Sequence, residues 1–168
     1  MAIVSSAAAG LRAASRATVI QLRAPALSTS ALEKELNTLV ASASVPILVS
    51  SRCDVAIACG AAGVNLPESD ISVGEARILI GRRLIGRSVH SVRSAQAAAR
   101  DGADYVIFGP VWESASHPGI APAGLAGLAD VVGSVAIPVL AIGGVTEERV
   151  VEVLASGAAG YAAIRLFE

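Results

Sequence analysis

Side chains able to do chemistry are few in this chain, and they recur just after short β-branched runs. Gln21 and Arg23 close TVIQLR, Ser50 and Ser51 follow PILV, and Asn65 lies in GVNL. Ser88 and His90 end LIGRSVH, while Ser114, Ser116 and His117 fall in the loop after YVIF. Hydroxyls, amides and imidazoles collected at one rim of an apolar scaffold suit a small polar substrate. A second group is Ala141-Ile142-Gly143-Gly144, immediately before Thr146, with Arg165 further on. Two adjacent glycines let backbone amides close on an anion, and a helix capped by Thr146 would add its free N–H groups and dipole. The same pair would also serve as a plain tight turn, and Arg165 would either face this pocket or point out from the rim. His117 sits between Ser116 and Pro118-Gly119, a setting that fixes a bend and aims the ring. An imidazole titrates near neutrality, so His117 is a candidate proton carrier, with a solvated loop residue as the alternative. His90 reads as the start of the helix that follows.

Those rims imply elements to hold them. The pattern alternates β-branched runs with Ala/Leu/Arg segments of helical period, the signature of parallel βα units. The runs are Ala2–Val4, Thr18–Leu22, Pro46–Val49, Gly63–Leu66, Leu84–Ser88, Tyr105–Phe108, Pro138–Ile142 and Gly160–Leu166. Between them, Leu32, Leu36, Leu39 and Val40 mark one face of a helix capped by Ser30, and Ser91 starts another that stops at Asp101-Gly102. Eight such steps predict an α/β fold, a short (β/α)8 barrel that lacks its eighth helix, as a single domain over 1–168. A doubly wound open sheet is the alternative, but no GxGxxG turn opens the first helix, so dinucleotide binding has no support. Without an eighth helix the seam between last and first strands needs a cover, most simply a second copy, and a homodimer is expected.

Composition removes other classes. Hydrophobic residues make up 54% and charged residues 16%, which suits a packed core rather than disorder. Thirteen basic against 14 acidic residues give a net charge of −1 with no basic stripe, so no nucleic-acid partner is expected. Apolar runs fall short of the roughly 18 residues a spanning helix needs, so no membrane partner is expected either. Cys53 and Cys59 fit neither a disulfide scaffold nor a four-ligand zinc site. Two buried thiols and a start without a basic leader point to the cytoplasm.

These residues, in this order, resemble the superfamily of thiamine phosphate synthase and the TenI-type thiazole tautomerases. The matching pieces are QLRAP at 21–25, SSRCDVAIACGAAGVNLPESD at 50–70, IGRSVHS at 85–91, GADYVIFGPVWESASHPG at 102–119 and AIGGVTEERVVEVLASGAAGYAAIRLF at 141–167. The resemblance implies a TIM barrel that takes a phosphorylated thiazole. It places phosphate at Gly143, Gly144, Ile164 and Arg165 and lays the loop from Ser114 to His117 over the ligand; the polar rim residues Gln21, Arg23, Ser50, Ser88, Ser114 and Ser116 are expected to bind the substrate.

Departures from the synthase pattern bear on the activity. The lysine of Gln-x-Arg-x-Lys is Pro25 here, the Asn-Asp pair is Ser50-Ser51, and the lysine of the later loop falls at His117. The only lysine is Lys34. A synthase needs Mg²⁺, for which Asp70 alone would remain, and one carboxylate holds Mg²⁺ poorly. Tautomerisation needs only an anion anchor and a proton carrier. The expectation is therefore an isomerase, a TenI-like thiazole tautomerase with His117 as proton shuttle and no cofactor. The alternatives are a thiamine phosphate synthase using Mg²⁺, or a non-catalytic phosphate-ligand-binding or regulatory barrel.

Overall fold

The computed structural model describes residues 1–114, 119 and 121–167. Its eight strands are β1 (Ala2–Val4), β2 (Ile20–Leu22), β3 (Ile47–Ser50), β4 (Gly63–Leu66), β5 (Leu84–Val89), β6 (Tyr105–Phe108), β7 (Val139–Ala141) and β8 (Gly160–Tyr161). Each pairs in parallel with the next in chain order. The ends meet through a parallel bridge between Ala2 and Ala163, where the Ile3 N–H donates to the Ala163 carbonyl at 2.9 Å. The intervening helices are α1 (Ala7–Ala13), α2 (Thr29–Ser42), α3 (Cys53–Ala58), α4 (Val73–Ile80), α5 (Val92–Arg100), α6 (Gly124–Ser134) and α7 (Val150–Ala155). A closed ring of parallel strands under helices is the expected (β/α)8 barrel, and among the described residues no eighth α-helix follows β8.

Alternation along each strand sorts the core into two layers. Ala2, Val4, Ile20, Leu22, Val49, Val64 and Leu66 pack outward against helices such as α2, which buries Leu32, Leu36 and Leu39. The opposite parity fills the barrel with Ile3, Leu48, Tyr105, Ile107 and Ala162. Each fully buried Leu or Ile contributes about 1.5–3 kcal/mol by leaving water. Inside the ring Tyr105 needs space that Gly86 supplies, since a Cβ there would collide with Cζ of the tyrosine ring.

Three local expectations are corrected. Ser28, not Ser30, caps α2, its side chain accepting the Ala31 N–H. Ser28-Thr29-Ser30 offers three hydroxyls in a row, and the sequence does not say which one stops being helical. Thr146 does not cap α7, which begins only at Val150 after a turn, so that helix terminus does not reach the diglycine. The last strand is Gly160–Tyr161 rather than Gly160–Leu166, because Arg165–Phe167 winds into a 3-10 turn that buries Phe167. By contrast, the capping box at Ser91 is formed as its helix needs.

Candidate active site

At the C-terminal ends of the strands the barrel opens into a cavity of about 590 Å³, a volume suited to a small ligand. Its β2–β5 side is built from side chains. Gln21 and Asn65 are 2% and 3% exposed, the two buried polar residues among those described. Gln21 Nε2 donates to Ser50 Oγ at 2.6 Å and Asn65 Nδ2 to Ser88 Oγ at 3.1 Å. The register sets them side by side, with Ser50 opposite Asn65 on neighbouring strands. The carbonyl oxygens of both amides are buried without a hydrogen-bond partner. Such an acceptor costs about 1–3 kcal/mol until a donor reaches it. Ser51, just past this row, holds a φ of 66°, a strained conformation for a residue with a side chain.

The β6–β8 side is built from backbone. Gly143 and Gly144 adopt φ of 94° and 67°, in the left-handed region. The Ile142 carbonyl accepts the Val111 N–H at 2.8 Å, and the Gly143 carbonyl accepts the Trp112 N–H at 3.1 Å. The Gly144 carbonyl accepts Arg149 Nη1 at 2.7 Å. In a planar trans peptide the N–H points opposite its carbonyl. The N–H groups of Gly143, Gly144 and Val145 therefore face away from those three partners, and none donates to a described residue. All three residues line the cavity. Successive free amides in a turn of this kind form a concavity for an anion. Arg23 and Arg165 line the same cavity, and neither side chain has an ion-pair partner among the described residues.

Of the site residues expected from sequence, Gln21, Arg23, Ser50, Ser88, Ser114, Gly143, Gly144, Ile164 and Arg165 all line this one cavity. Arg165 does so from the 3-10 turn, not from a strand. His117 and Ser116 lie outside the described residues. Asp70 is absent from the cavity wall, and its Oδ1 accepts the Ile71 N–H at 2.8 Å. Sequence reasoning missed two contributors, Glu68 and Glu113, and gave His90, which it had placed at the rim, only the role of starting a helix. His90 places its ring at the cavity with Nδ1 2.5 Å from the Gly109 carbonyl and Nε2 3.8 Å from Glu68 Oε2, beyond merely starting α5. Glu68 and Glu113 are the cavity's carboxylates. The signal for Glu68 was its place two residues beyond β4, where a strand end reaches the rim.

The described residues include no group of three or more His, Cys, Asp or Glu able to share a metal ion. With Asp70 Oδ1 engaged by the Ile71 N–H, the described residues form no all-protein cage for Mg²⁺, an ion ordinarily held by one or two carboxylates together with substrate phosphates. Nor does any described helix have the length and apolarity to cross a membrane.

The model of the family described as thiamine monophosphate synthase matches residues 2–167. The chain belongs to that family. Thiamine-phosphate synthase of Chloroflexus aurantiacus is 41% identical over 88% of this chain and 70% of its own length. The enzyme of the same name from Methanoculleus marisnigri is 43% identical over 93% of this chain and 76% of its own. Among solved structures, thiamine phosphate pyrophosphorylase from Pyrococcus furiosus superposes with a TM-score of 0.88 at 32% identity, covering 97% of this chain and 83% of that one.

Membership in the thiamine monophosphate synthase family corrects the expected activity. These relatives are synthases, which are transferases, so the tautomerase and isomerase assignment does not stand. A few rim substitutions do not outweigh a match that runs the length of the barrel. Pro25 is exposed and outside the cavity wall.

Proposed function

We propose that this chain is a transferase that joins a pyrimidine diphosphate to a thiazole phosphate, releasing pyrophosphate and forming thiamine phosphate. The observation that carries the reading is the division of one cavity into two unlike halves. A thiazole phosphate suits the three free amides at Gly143, Gly144 and Val145, with Ile164 and Arg165 beside them. A heterocycle bearing N–H donors suits the open acceptors of Gln21 and Asn65.

Holding both rings in one cavity turns a bimolecular encounter into an intramolecular one. The reaction then needs stabilisation of the departing pyrophosphate, whose charge grows as the bond to carbon breaks. Arg23, at the end of β2 and free of any carboxylate partner among the described residues, is the group suited to meet that charge. Ser50 and Ser88 orient the two amides, and Ser114 lines the same cavity. A family of this activity implies Mg²⁺; on the protein's side, binding, orientation and charge stabilisation fall to its own side chains and amides.

Supplying both substrates with excess Mg²⁺ is the test. Thiamine phosphate and pyrophosphate appearing one for one support the transferase. Saturable binding of both substrates with no product would leave a ligand-binding barrel instead.

A further inference from the structure

We infer that Arg149 is a positioning residue for the phosphate turn, clamped there by Trp112. The inference rests on the reading that the Gly143–Val145 amides hold phosphate. Arg149 is not part of the cavity wall. It sits at the start of α7, sends Nη1 2.7 Å to the Gly144 carbonyl, and lays its guanidinium 4.9 Å from the centre of the Trp112 ring. The backbone N–H of Trp112 in turn donates to the Gly143 carbonyl. Two neighbouring carbonyls of the turn are thus held by two residues that stack on each other.

The clamp matters because of what the turn is made of. Glycine imposes almost no backbone preference, so nothing intrinsic keeps the peptide between Gly144 and Val145 in one orientation. Rotating that peptide would turn the Val145 N–H away from the cavity and put a carbonyl, an anion repellent, in its place. A hydrogen bond to the Gly144 carbonyl from a charged donor opposes the rotation. Arginine can donate in its plane and stack with its face at once, whereas lysine can donate but has no plane to stack. Arg149 also ties the loop after β6, which carries Trp112, to the loop after β7. Cβ atoms added at Gly143 and Gly144 would fall 2.6 Å from Pro110 Cβ and 2.7 Å from Trp112 Cβ, so the two loops already touch as one body.

Trp112 is the sole tryptophan of the chain and reports on this junction. Inorganic phosphate titrated into the wild-type protein should change Trp112 emission and give a calorimetric binding curve. Arg149→Ala should weaken phosphate affinity about tenfold, with Arg149→Lys between the two. In the full reaction Arg149→Ala should raise KM for the thiazole phosphate, leaving kcat and KM for the pyrimidine diphosphate within about twofold. Phosphate binding to Arg149→Ala as tightly as to wild type overturns the clamp and leaves the phosphate turn intact. A wild-type protein that binds no phosphate overturns the phosphate reading and the clamp together. Should Arg149→Ala fail to fold by circular dichroism, Arg149→Lys decides: wild-type phosphate affinity there contradicts the clamp.

Discussion

The two halves of the cavity present different kinds of group. On the β2–β5 side, side chains project from the interior face of regular strands, and Gln21, Ser50, Asn65 and Ser88 form two amide–hydroxyl pairs. On the β6–β8 side the groups in reach are peptide N–H donors, arranged by glycines and by the partners of their carbonyls. A side-chain site tolerates change in the backbone around it but fails one residue at a time. A backbone site uses no side chain at its own positions but fails when the turn is deformed, as any Cβ at its glycines would do. Substitutions should therefore separate the halves by substrate.

The largest effect is expected at Gly144. Alanine there must hold a φ of 67° at a cost of about 1–2 kcal/mol, and its Cβ would press on the Glu113 carbonyl at 2.7 Å. Gly144→Ala should lower kcat/KM for the thiazole phosphate about 100-fold, as read by steady-state kinetics, with KM for the pyrimidine diphosphate barely moved. Equal losses for both substrates would break the division. Gln21→Ala is the converse. It removes a buried acceptor and the bond to Ser50, and should raise KM for the pyrimidine diphosphate about tenfold while sparing the thiazole phosphate.

The packed interior of the barrel gives a smaller effect, on stability alone. Tyr105 has a buried hydroxyl with no partner, and burial holds its pKa well above that of a free tyrosine. Tyr105→Phe should raise stability by about 1 kcal/mol, or about 2–4 °C in melting temperature. The sign with pH follows from linkage. The unfolded chain loses this proton near pH 10, the value for a free tyrosine, and the folded chain only at higher pH, so the unfolded state binds fewer protons there. Wild-type stability should fall as pH rises above 10, and Tyr105→Phe should fall less. The smallest expected change is with Mg²⁺ alone. With no trio of ligands among the described residues, the ion without substrate should shift the melting temperature by less than about 1 °C.

The side-chain half was legible in the sequence because polar letters stand out where apolar strands end: Gln21, Ser50 and Asn65 each break or close a run of Ile, Leu and Val, and Ser88 lies near the end of LIGRSV. Strand order was legible for the same reason, since βα alternation leaves few parallel arrangements. The backbone half was legible only as two glycines. Nothing in the letters says that three carbonyls are held by Val111, Trp112 and Arg149, because those contacts join segments that the alternation leaves separate. The expected dipole of a helix capped by Thr146 gave way to amides of the turn itself. His90 was legible at the rim, but the strong cap at Ser91 accounted for the segment and left the ring's place in the cavity wall unread. The activity was misjudged because losses at Pro25 and Ser50-Ser51 are visible letter by letter, whereas a likeness to synthases along the whole barrel is not weighed by any single letter.

Calorimetric titration of the wild-type protein with the thiazole phosphate and with the same thiazole lacking its phosphate tests the anion-holding turn most directly. Three convergent amides beside Arg165 predict that the phosphorylated compound binds at least about 100-fold more tightly. Equal affinity for the two compounds would contradict the turn as the anchor, and with it the division of the cavity on which the transferase reading depends.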